Sequence, residues 1–388
     1  CGQADGAATR GHLPSSLPVA RAPPVAGFPY DAAVMKGLIL SGGAGTRLRP
    51  ITHTSAKQLV PVANKPILFY GIEALKEAGI SQIGIIVGDT EDEIREAVGD
   101  GSAWGVSITY IRQEAPLGLA HAVLTAAGFL ADTPFVMYLG DNLIKEGIAD
   151  FVDEFRRKDV DALILLAHVT EPQRFGVAEL DGSRIVRLVE KPEQPPSDLA
   201  LVGAYMFRPS ILEASRSITP SWRDELEITD AIQHLIDHGH RVEAHVIDGW
   251  WKDTGHLEDL LEANRIVLEN IEARCDGSID ADSRVDGRVI VEEGAEVVRS
   301  SVRGPAIIGK GTRIIDSYIG PFTSIYYGVT VEGSELEHSI VMENSSIANI
   351  PGRIENSLIG KNVEICRCFE LPKTFRFVLG DNSRVGLI

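Results

Sequence analysis

A glycine-rich segment near the start of the folded sequence carries residue types that bind phosphate. Glycines at positions 42, 43 and 45 follow a short apolar run, and the cations Arg47 and Lys57 come next. Glycine permits positive φ and lets backbone N–H groups approach an anion, while nearby cations add charge. The pattern indicates a loop that wraps phosphate groups, and a simple turn after a strand is the alternative.

The spacing of this segment excludes the two commonest nucleotide-binding loops. A dinucleotide fingerprint needs glycine where Leu48 stands, and a P-loop ends in Gly-Lys-Ser or Gly-Lys-Thr. If the segment binds an anion, it therefore belongs to another class of phosphate site.

Two carboxylates stand at the ends of other predicted elements. Asp141 follows the apolar run 135–139, and Asp253 lies at a predicted loop edge next to two adjacent tryptophans. Carboxylate oxygens are suited to hold Mg²⁺ against a bound polyphosphate. Asp-Asn after a strand is also a turn signal, and tryptophans beside an aspartate are compatible with core packing.

Glu190 and Lys191 end a further predicted strand, and Pro192 sets the exit of the chain. A carboxylate is suited to sugar hydroxyls, and an ammonium is suited to a sugar phosphate. A surface ion pair with little effect on stability is the structural alternative.

The composition restricts the class of protein and its partners. The chain of 388 residues is 44% hydrophobic, which favours two folded units. Its formal net charge of −18 argues against nucleic acid, and no apolar run approaches the length of a membrane span. An anionic substrate therefore needs locally concentrated cations. Four cysteines without a disulfide or metal pattern suit a reducing compartment, so we expect a cytoplasmic protein.

The order of apolar and amphipathic segments predicts the elements that position these residues. Residues 1–34 are rich in Ala, Pro and Gly, and we expect a disordered extension. From 35 to 273, alternating segments indicate βαβ units in an α/β fold, with antiparallel additions after residue 150 that make the sheet mixed. Ligands of such sheets bind beyond the carboxyl ends of the strands. The predicted strands are 36–40, 82–87, 106–111, 135–139, 161–169, 175–180, 184–190 and 201–208, and the predicted helices are 66–78, 91–98, 118–130, 222–238 and 256–272.

The remaining residues, 274–388, contain an imperfect hexapeptide repeat. Segments such as 307–312 and 359–364 place an apolar residue about every six positions, followed by glycine or a small polar residue. This spacing is typical of a parallel β-helix, and the span 279–370 would form about five coils. Stacked coils bury a continuous apolar column, which favours a role in scaffolding or assembly.

Nine ordered motifs between about residue 35 and residue 370 resemble those of the sugar nucleotidylyltransferases. The similarity is closest to the long-form glucose-1-phosphate thymidylyltransferases, which join a Rossmann-like nucleotidyltransferase domain to a C-terminal left-handed β-helix. The motifs are Gly42-Gly-Ala-Gly-Thr-Arg-Leu-Arg-Pro50, Lys57-Gln-Leu-Val-Pro61, Gln113-Glu-Ala-Pro-Leu-Gly-Leu-Ala120, Leu139-Gly-Asp-Asn142, Phe175-Gly176, Glu190-Lys-Pro192, Leu201-Val-Gly203, Arg223-Asp-Glu-Leu-Glu-Ile-Thr-Asp230 and Trp251-Lys-Asp-Thr-Gly255.

The resemblance implies a role for each matching residue. Arg47 and Lys57 would be catalytic, and Asp141 and Asp253 would hold Mg²⁺. The implied nucleotide-binding residues are Leu40, Gly42, Gly43, Gly45, Thr46, Gln113 and Gly118. The implied sugar-phosphate-binding residues are Gly176, Glu190, Lys191, Val202, Gly203 and Arg223.

The implied reaction is Mg²⁺-dependent nucleotidylyl transfer from dTTP to glucose 1-phosphate, which gives dTDP-glucose and pyrophosphate. Relatives form multimers, so the resemblance also implies a homo-oligomer. Three further hypotheses stay open. The substrate could be UTP, because an apolar pocket discriminates weakly for a methyl group. The β-helix could carry an acetyltransferase with His338 as its base, or the chain could be a catalytically silent regulatory subunit.

Overall fold

The computed structural model describes residues 34–43, 45–53, 55–182, 184–367, 377 and 379–386. The predicted extension 1–34 lies outside these ranges, apart from its last residue. None of the helices in the described ranges combines the length and the apolar character that a membrane span requires.

The first part of the chain alternates strands and helices as predicted. The strands are β1 Lys36–Leu40, β2 Pro61–Val62, β3 Lys65–Pro66, β4 Gln82–Val87, β5 Ser107–Arg112, β6 Phe135–Leu139, β7 Asn142–Ile144, β8 Ala162–His168, β9 Gly176–Asp181, β10 Arg184–Glu190, β11 Leu199–Phe207, β12 Val242–Val246 and β13 Trp251–Asp253. The helices are α1 Ile67–Glu77, α2 Glu91–Val98, α3 Leu119–Thr125, α4 Ala127–Leu130, α5 Ala149–Arg157, α6 Ser210–Ser217, α7 Ile228–Asp237 and α8 Leu257–Leu268. Single 3₁₀ turns occur at Thr46–Leu48, Ile51–His53, Lys57–Leu59, Ser102–Trp104 and Pro172–Arg174.

Nine of these strands form one mixed sheet in the order β5-β4-β1-β6-β11-β8-β12-β10-β9. β1 pairs in parallel with β4 and β6, as expected for strands that are joined through helices. β11 runs antiparallel to β6 and β8, and β10 runs antiparallel to β9. The loops after β1 and β6 therefore leave the sheet at one edge, where the N–H of Gly140 donates to the carbonyl of Leu40 (2.9 Å).

Helices cover the sheet on both faces. Successive residues of its central strands point to opposite faces, so neighbouring side chains lie in different apolar clusters. Ile39 lies in an apolar cluster that includes residues of α1, α2 and α5. Its neighbour Leu38 lies in a second cluster that includes residues of α3, α6 and α7. Burial on both sides explains why β1 is a continuous apolar run rather than an alternating one.

Three predicted helices differ from the structure. The predicted helix 256–272 ends earlier, at Leu268. The predicted helix 118–130 is divided at Ala126 into α3 and α4. α7 begins at Ile228 rather than near residue 222, because the N–H of Ser221 donates to the carbonyl of Glu225 (2.8 Å) and Asp224 has φ 58°. A residue with this left-handed backbone cannot continue a right-handed helix. A turn therefore replaces the predicted first turns of this helix.

The second part consists of short strands stacked in parallel. The strands are β14 Arg274–Cys275, β15 Ser278–Ile279, β16 Arg284–Asp286, β17 Val289–Val291, β18 Glu296–Val298, β19 Ser301–Arg303, β20 Ala306–Ile308, β21 Arg313–Ile315, β22 Tyr318–Ile319, β23 Thr323–Ile325, β24 Thr330–Glu332, β25 Glu335–Glu337, β26 Ile340–Val341, β27 Ser346–Ala348, β28 Arg353–Glu355, β29 Leu358–Ile359 and β30 Glu364–Cys366. They form three sheets of six, six and five strands in the described residues, so five coils are complete and a sixth is partial. The predicted parallel β-helix is confirmed.

The interior of the β-helix combines an apolar column with a ladder of serines. Val302, Ile319 and Leu336 occupy equivalent positions in successive coils, and each is fully buried. At one corner, the N–H of Ser317 donates to the hydroxyl of Ser300 (3.0 Å), and the next coil repeats this bond. Buried polar groups at the corners are thus hydrogen-bonded from coil to coil, which stabilises the stack.

We predict that Ile314→Ala lowers the free energy of unfolding by about 2–5 kcal/mol, because this fully buried side chain would leave a cavity in the column. Urea unfolding followed by circular dichroism measures the effect. Arg313→Ala, at the adjacent exposed position of the same strand, should change the free energy by less than about 0.5 kcal/mol. Similar losses in both variants would contradict the assignment of Ile314 to the core.

Candidate active site

The glycine-rich segment forms a tight loop at the end of β1. Gly45 has φ 60°, and its carbonyl accepts a hydrogen bond from the Thr52 hydroxyl (2.7 Å). A Cβ at Gly45 would lie 3.0 Å from the Cβ of Lys57. Glycine is therefore required here both for the left-handed backbone and for the close approach of Lys57.

Two short strands bring the predicted carboxylates together. β7 and β13 pair antiparallel, with Asn142 opposite Asp253. The side chain of Thr254 donates to the carbonyl of Asp141 (2.7 Å), and the indole N–H of Trp251 donates to Asn142 Oδ1 (2.6 Å). This pairing places Asp141, which follows β6, beside Asp253, which lies 112 residues later in the chain.

Lys57 lies between the two carboxylates. Its Nζ donates to Asp141 Oδ2 and lies 3.8 Å from Asp253 Oδ1, while its side chain is only 6% exposed. Burial by itself would raise the pKa of Asp141, but the Lys57 ammonium holds that pKa below its usual value. Burial and the neighbouring Asp141 charge raise the pKa of Asp253 to about 6. One buried cation therefore compensates two partly buried carboxylates only in part.

The two aspartates have the chemistry of a divalent metal site. Asp253 Oδ1 is buried and accepts no hydrogen bond from the described residues, so it is an available oxygen ligand. Mg²⁺ in nucleotide sites is commonly held by one or two carboxylates, with substrate phosphates and water as the other ligands. In the described ranges, no three His, Cys, Asp or Glu side chains converge in a protein-only site. The residues present thus fit a metal that is shared with a polyphosphate.

The exposed guanidinium of Arg47 lies beside this cluster. A Cβ at Gly255 would be 3.1 Å from Arg47 Nη1 and 3.2 Å from Asp253 Oδ1. Arg47 Nη1 is also 3.3 Å from His256 Nε2, and burial together with nearby Arg174 and Arg47 lowers the pKa of His256. A neutral imidazole can accept a hydrogen bond from Arg47 and so hold its guanidinium in place.

A second cluster surrounds Glu190 at the end of β10. Arg223 Nη1 donates to Glu227 (3.2 Å) and lies 3.7 Å from Glu190 Oε1. Lys191 Nζ lies 3.5 Å from the same oxygen, and Thr229 donates to the other oxygen of Glu190 (3.3 Å). Burial raises the pKa of Glu190, Lys191 lowers it, and Glu227 raises it further, with a net increase. Two cations thus stand beside one mostly buried carboxylate.

Close backbone packing links this second cluster to the carboxylate strands. A Cβ at Gly203 would lie 2.4 Å from Asn142 Oδ1, so only glycine fits at this position. Gly176 pairs with Glu190 in the sheet, and a Cβ there would lie 3.1 Å from Glu190 Oε2. Val202 and Leu40 point into the apolar clusters, so any contact that they make with a ligand must use their backbone.

A third group of predicted residues lies between the glycine loop and α3. Gln113 Nε2 lies 2.8 Å from His121 Nδ1 and 3.4 Å from the carbonyl of Gly118. Its Oε1 lies 3.3 Å from the position of a Cβ on Gly42. The N–H of Leu226 donates to the carbonyl of Leu117 (2.8 Å), which joins this group to the segment that carries Arg223. The three groups therefore border one connected region.

The structure also places residues at the site that the sequence did not single out. Thr229 contacts Glu190, His121 contacts Gln113, and His256 contacts Arg47. Glu227 and Thr229 lie inside a recognised motif, but their contacts with Arg223 and Glu190 were not evident from the pattern. Thr46 and Gly43 are exposed on the loop, where their backbone is accessible.

A concavity of about 530 Å³ lies elsewhere, between α5 and β12. Phe151, Glu154 and His245 line it, and none of the predicted site residues does. It collects opposite charges that already pair with one another, such as Lys158 and Glu154 (2.7 Å). We therefore place the candidate active site at the three residue groups and not in this concavity.

The family description Nucleotidyl transferase matches residues 36–270 of the sequence, which include all three groups. The chain belongs to the nucleotidyl transferase family. This nucleotidyl transferase is 58% identical over 354 residues to the glucose-1-phosphate thymidylyltransferase of Streptomyces griseus, covering 91% of this chain and 99% of the relative. It is 35% identical over 359 residues to the bifunctional protein GlmU of Methanococcus maripaludis, covering 90% of this chain and 82% of the relative. A crystal structure of UDP-glucose pyrophosphorylase in complex with UDP-glucose matches with a TM-score of 0.56 at 27% identity, covering 61% of this chain and 99% of that one.

We predict that Glu190→Gln stabilises the ligand-free nucleotidyl transferase relative to wild type, and increasingly so from pH 4.5 to neutral pH. The raised pKa of Glu190 means that its contribution to stability is fully present below the unfolded-state pKa and is lost as pH rises through the folded-state pKa. Glutamine stays neutral throughout this range. The midpoint of thermal unfolding, Tm, measures the difference across the pH series.

The matched control is Glu193→Gln, an exposed carboxylate three residues away. A surface substitution of this kind should change Tm little at any pH between 4.5 and neutral. A Glu190→Gln variant that is less stable than wild type at neutral pH would show that Arg223 and Lys191 outweigh the cost of burial.

Proposed function

We propose that this nucleotidyl transferase forms dTDP-glucose and pyrophosphate from dTTP and glucose 1-phosphate. The observation that carries the proposal is Lys57 held between Asp141 and Asp253, beside a glycine loop and next to a second cationic cluster. This arrangement suits a reaction between two phosphate-bearing substrates. The similarity to a thymidylyltransferase over nearly the whole length of both chains supports the choice of substrates.

The reaction is a direct displacement at phosphorus. An oxygen of the sugar phosphate attacks the α-phosphorus of the triphosphate, and the bond to the β-phosphate oxygen breaks. Pyrophosphate leaves with the electron pair, on the side opposite to the attack. Because both reactants are anions, the protein must neutralise charge and align the two groups.

Each cation of the candidate site has a separate role in neutralising and aligning the two substrates. In our proposal, Arg47 neutralises the departing pyrophosphate and Lys57 stabilises charge where the two substrates meet. Lys191 and Arg223 hold the sugar phosphate, and Glu190 accepts hydrogen bonds from sugar hydroxyls. The backbone of Gly176, Val202 and Gly203 lines the sugar side. The nucleotide side consists of Leu40, Gly42, Gly43, Gly45, Thr46, Gln113 and Gly118.

Asp141 and Asp253 would hold Mg²⁺ in this scheme. When bound, the ion supplies Lewis-acid polarisation of the triphosphate and a template for its geometry. The buried, unbonded oxygen of Asp253 is the feature of this chain that supports the assignment.

We further propose two domains, 35–273 for catalysis and 274–388 for the β-helix, with coils that wind in the left-handed sense. The β-helix would serve assembly into a homo-oligomer rather than a second reaction. His338 is the candidate base for acetyl transfer, and the similarity to a bifunctional GlmU makes its environment relevant. Its Nδ1 lies 2.7 Å from Asn356 Oδ1 and its Nε2 is buried, so one nitrogen has a protein partner and the other is shielded from solvent, which argues against a role as the base.

A catalytically silent subunit and a uridylyltransferase differ in which charged residues the site has to keep. A silent subunit would be expected to lose its charged positions, but Arg47, Lys57, Asp141 and Asp253 are all present. A uridylyltransferase would keep them, and one of the similar structures is a UDP-glucose pyrophosphorylase. Only the nucleotide preference separates that enzyme from a thymidylyltransferase.

We predict Mg²⁺-dependent pyrophosphate release with dTTP and glucose 1-phosphate, and no release after a chelator removes the metal. A coupled pyrophosphate assay with each common nucleoside triphosphate gives kcat/KM for all of them. A higher kcat/KM for UTP than for dTTP would identify a uridylyltransferase instead. Absence of release with either nucleotide, compared with a sample without enzyme, would refute nucleotidyl transfer.

We predict that Asp141→Asn and Asp253→Asn each lower kcat by about 10²–10³-fold, because each removes a charge that the reacting phosphates and their metal require. Both variants should fold, as measured by circular dichroism. Asp248→Asn changes an exposed aspartate that precedes β13 and should leave turnover unchanged. Wild-type turnover in either site variant would exclude that residue from the metal site.

A further inference from the structure

Asn264 of α8 is a buried side chain that joins the β-helix to the catalytic part of the chain. It is fully buried, and its Oδ1 accepts hydrogen bonds from the N–H of Ala63 (2.8 Å) and the hydroxyl of Ser324 (2.7 Å). Its Nδ2 donates to the carbonyl of Phe322 (3.0 Å). One amide thus connects a β-helix coil to the segment that follows Lys57.

The segment that Asn264 holds is a tight and strained turn. Ala63 and Asn64 connect β2 to β3, with φ 48° and 58°. Alanine adopts this left-handed backbone only where the surroundings impose it. The Nδ2 of Asn64 donates to the carbonyl of Ile325 (2.7 Å), so coil residues 322–325 hold both residues of the turn.

The chain between the turn and Lys57 is short and tightly packed. Lys57 begins a single 3₁₀ turn, and the N–H of Val60 donates to its carbonyl (3.1 Å). Val60 and Val62 are fully buried, and Val62 leads directly into Ala63. A shift of the turn would therefore be transmitted to the Lys57 backbone rather than absorbed by a loop.

A second contact reaches the chain between Arg47 and Lys57. Ile51 and Leu358 belong to one apolar cluster that also contains Leu48. Ile51 Cδ1 lies 3.1 Å from the position of a Cβ on Gly360. The last coil thus packs against the segment between Arg47 and Lys57.

We propose that the β-helix is a positioning element for the loop that carries Arg47 and Lys57, and that Asn264 is the positioning residue that links them. The inference rests on the nucleotidyl transfer proposed above. Lys57 must contact Asp141 while staying 3.8 Å from Asp253. The rigid stack of coils fixes the position of the segment that carries Lys57. Loss of the link lowers kcat and leaves the substrate contacts in place.

The test weakens the link in two steps. Ser324→Ala removes the hydroxyl that donates to Asn264, and Asn264→Ala removes all three hydrogen bonds of this amide. We expect kcat for pyrophosphate release to fall about 10-fold and about 100-fold, respectively, because misplacement of a catalytic group by about 1 Å can cost about 100-fold. KM for dTTP and for glucose 1-phosphate should change little. Ser324→Thr keeps the hydroxyl and should retain wild-type kcat.

Ser334→Ala is the matched control. This serine is equally buried, but its hydroxyl donates to the carbonyl of Glu332 (2.9 Å) and accepts from the N–H of Ile350 (3.1 Å), both within the β-helix. It should lower Tm and leave kcat unchanged. Hydrogen exchange of the amides of residues 57–63 adds a readout independent of turnover, and exchange should be faster in Ser324→Ala than in Ser334→Ala.

The outcomes separate this inference from the proposed reaction. Wild-type protein that releases no pyrophosphate refutes the reaction. Active wild-type protein with unchanged kcat and unchanged exchange in Ser324→Ala overturns the positioning role. An equal loss of kcat in Ser334→Ala also overturns it, because the effect would then be general to the β-helix. If Asn264→Ala does not fold, the Ser324→Ala and Ser324→Thr pair decides.

Discussion

The buried ammonium of Lys57 is the interaction on which the candidate site depends. A cation with a side chain only 6% exposed needs nearby negative charge, and Asp141 and Asp253 supply it. Two carboxylates exceed one ammonium by one charge, and burial together with this excess raises the pKa of Asp253. The same excess suits a divalent cation. The fold must therefore bring three distant segments to one point, which the parallel pairing of β1 with β6 and the pairing of β7 with β13 achieve.

Charge is distributed unevenly over the molecule. A chain with a formal net charge of −18 repels small anions in general, so phosphate groups must be attracted locally. Arg47 is exposed at the loop, and Arg223 and Lys191 stand beside a carboxylate whose pKa burial raises. The cations thus stand in the region where the two proposed anionic substrates would meet.

The β-helix contributes rigidity to this arrangement. Its corners are hydrogen-bonded through stacked serines, and its interior is a continuous apolar column. A structure of this kind deforms little, because the short strands of each coil pair with those of the next. Contacts through Asn264 and Ile51 join this rigid stack to the segments that precede and follow Lys57. The β-helix thus contacts the segment that carries Lys57, while β7 and β13 hold the carboxylates.

Much of the fold was predictable from local patterns. The apolar runs at 36–40, 82–87 and 135–139 became strands with those bounds, and the hexapeptide repeat became stacked coils, because these signals depend on short-range periodicity. The predicted start of a helix near residue 222 was wrong, because hydrogen bonds of Ser221 form a turn over residues 222–227 in its place.

The sequence by itself determined which residue types were available at the site, since glycines, cations and carboxylates stood in recognisable motifs. It could not determine that Lys57 would be buried between Asp141 and Asp253, that Gly203 would face Asn142, or that Asn264 would connect the two parts of the chain. These are contacts between residues that are far apart in the chain. Only the tertiary structure decides them, because burial, pKa and hydrogen bonding depend on which distant segments share the same space.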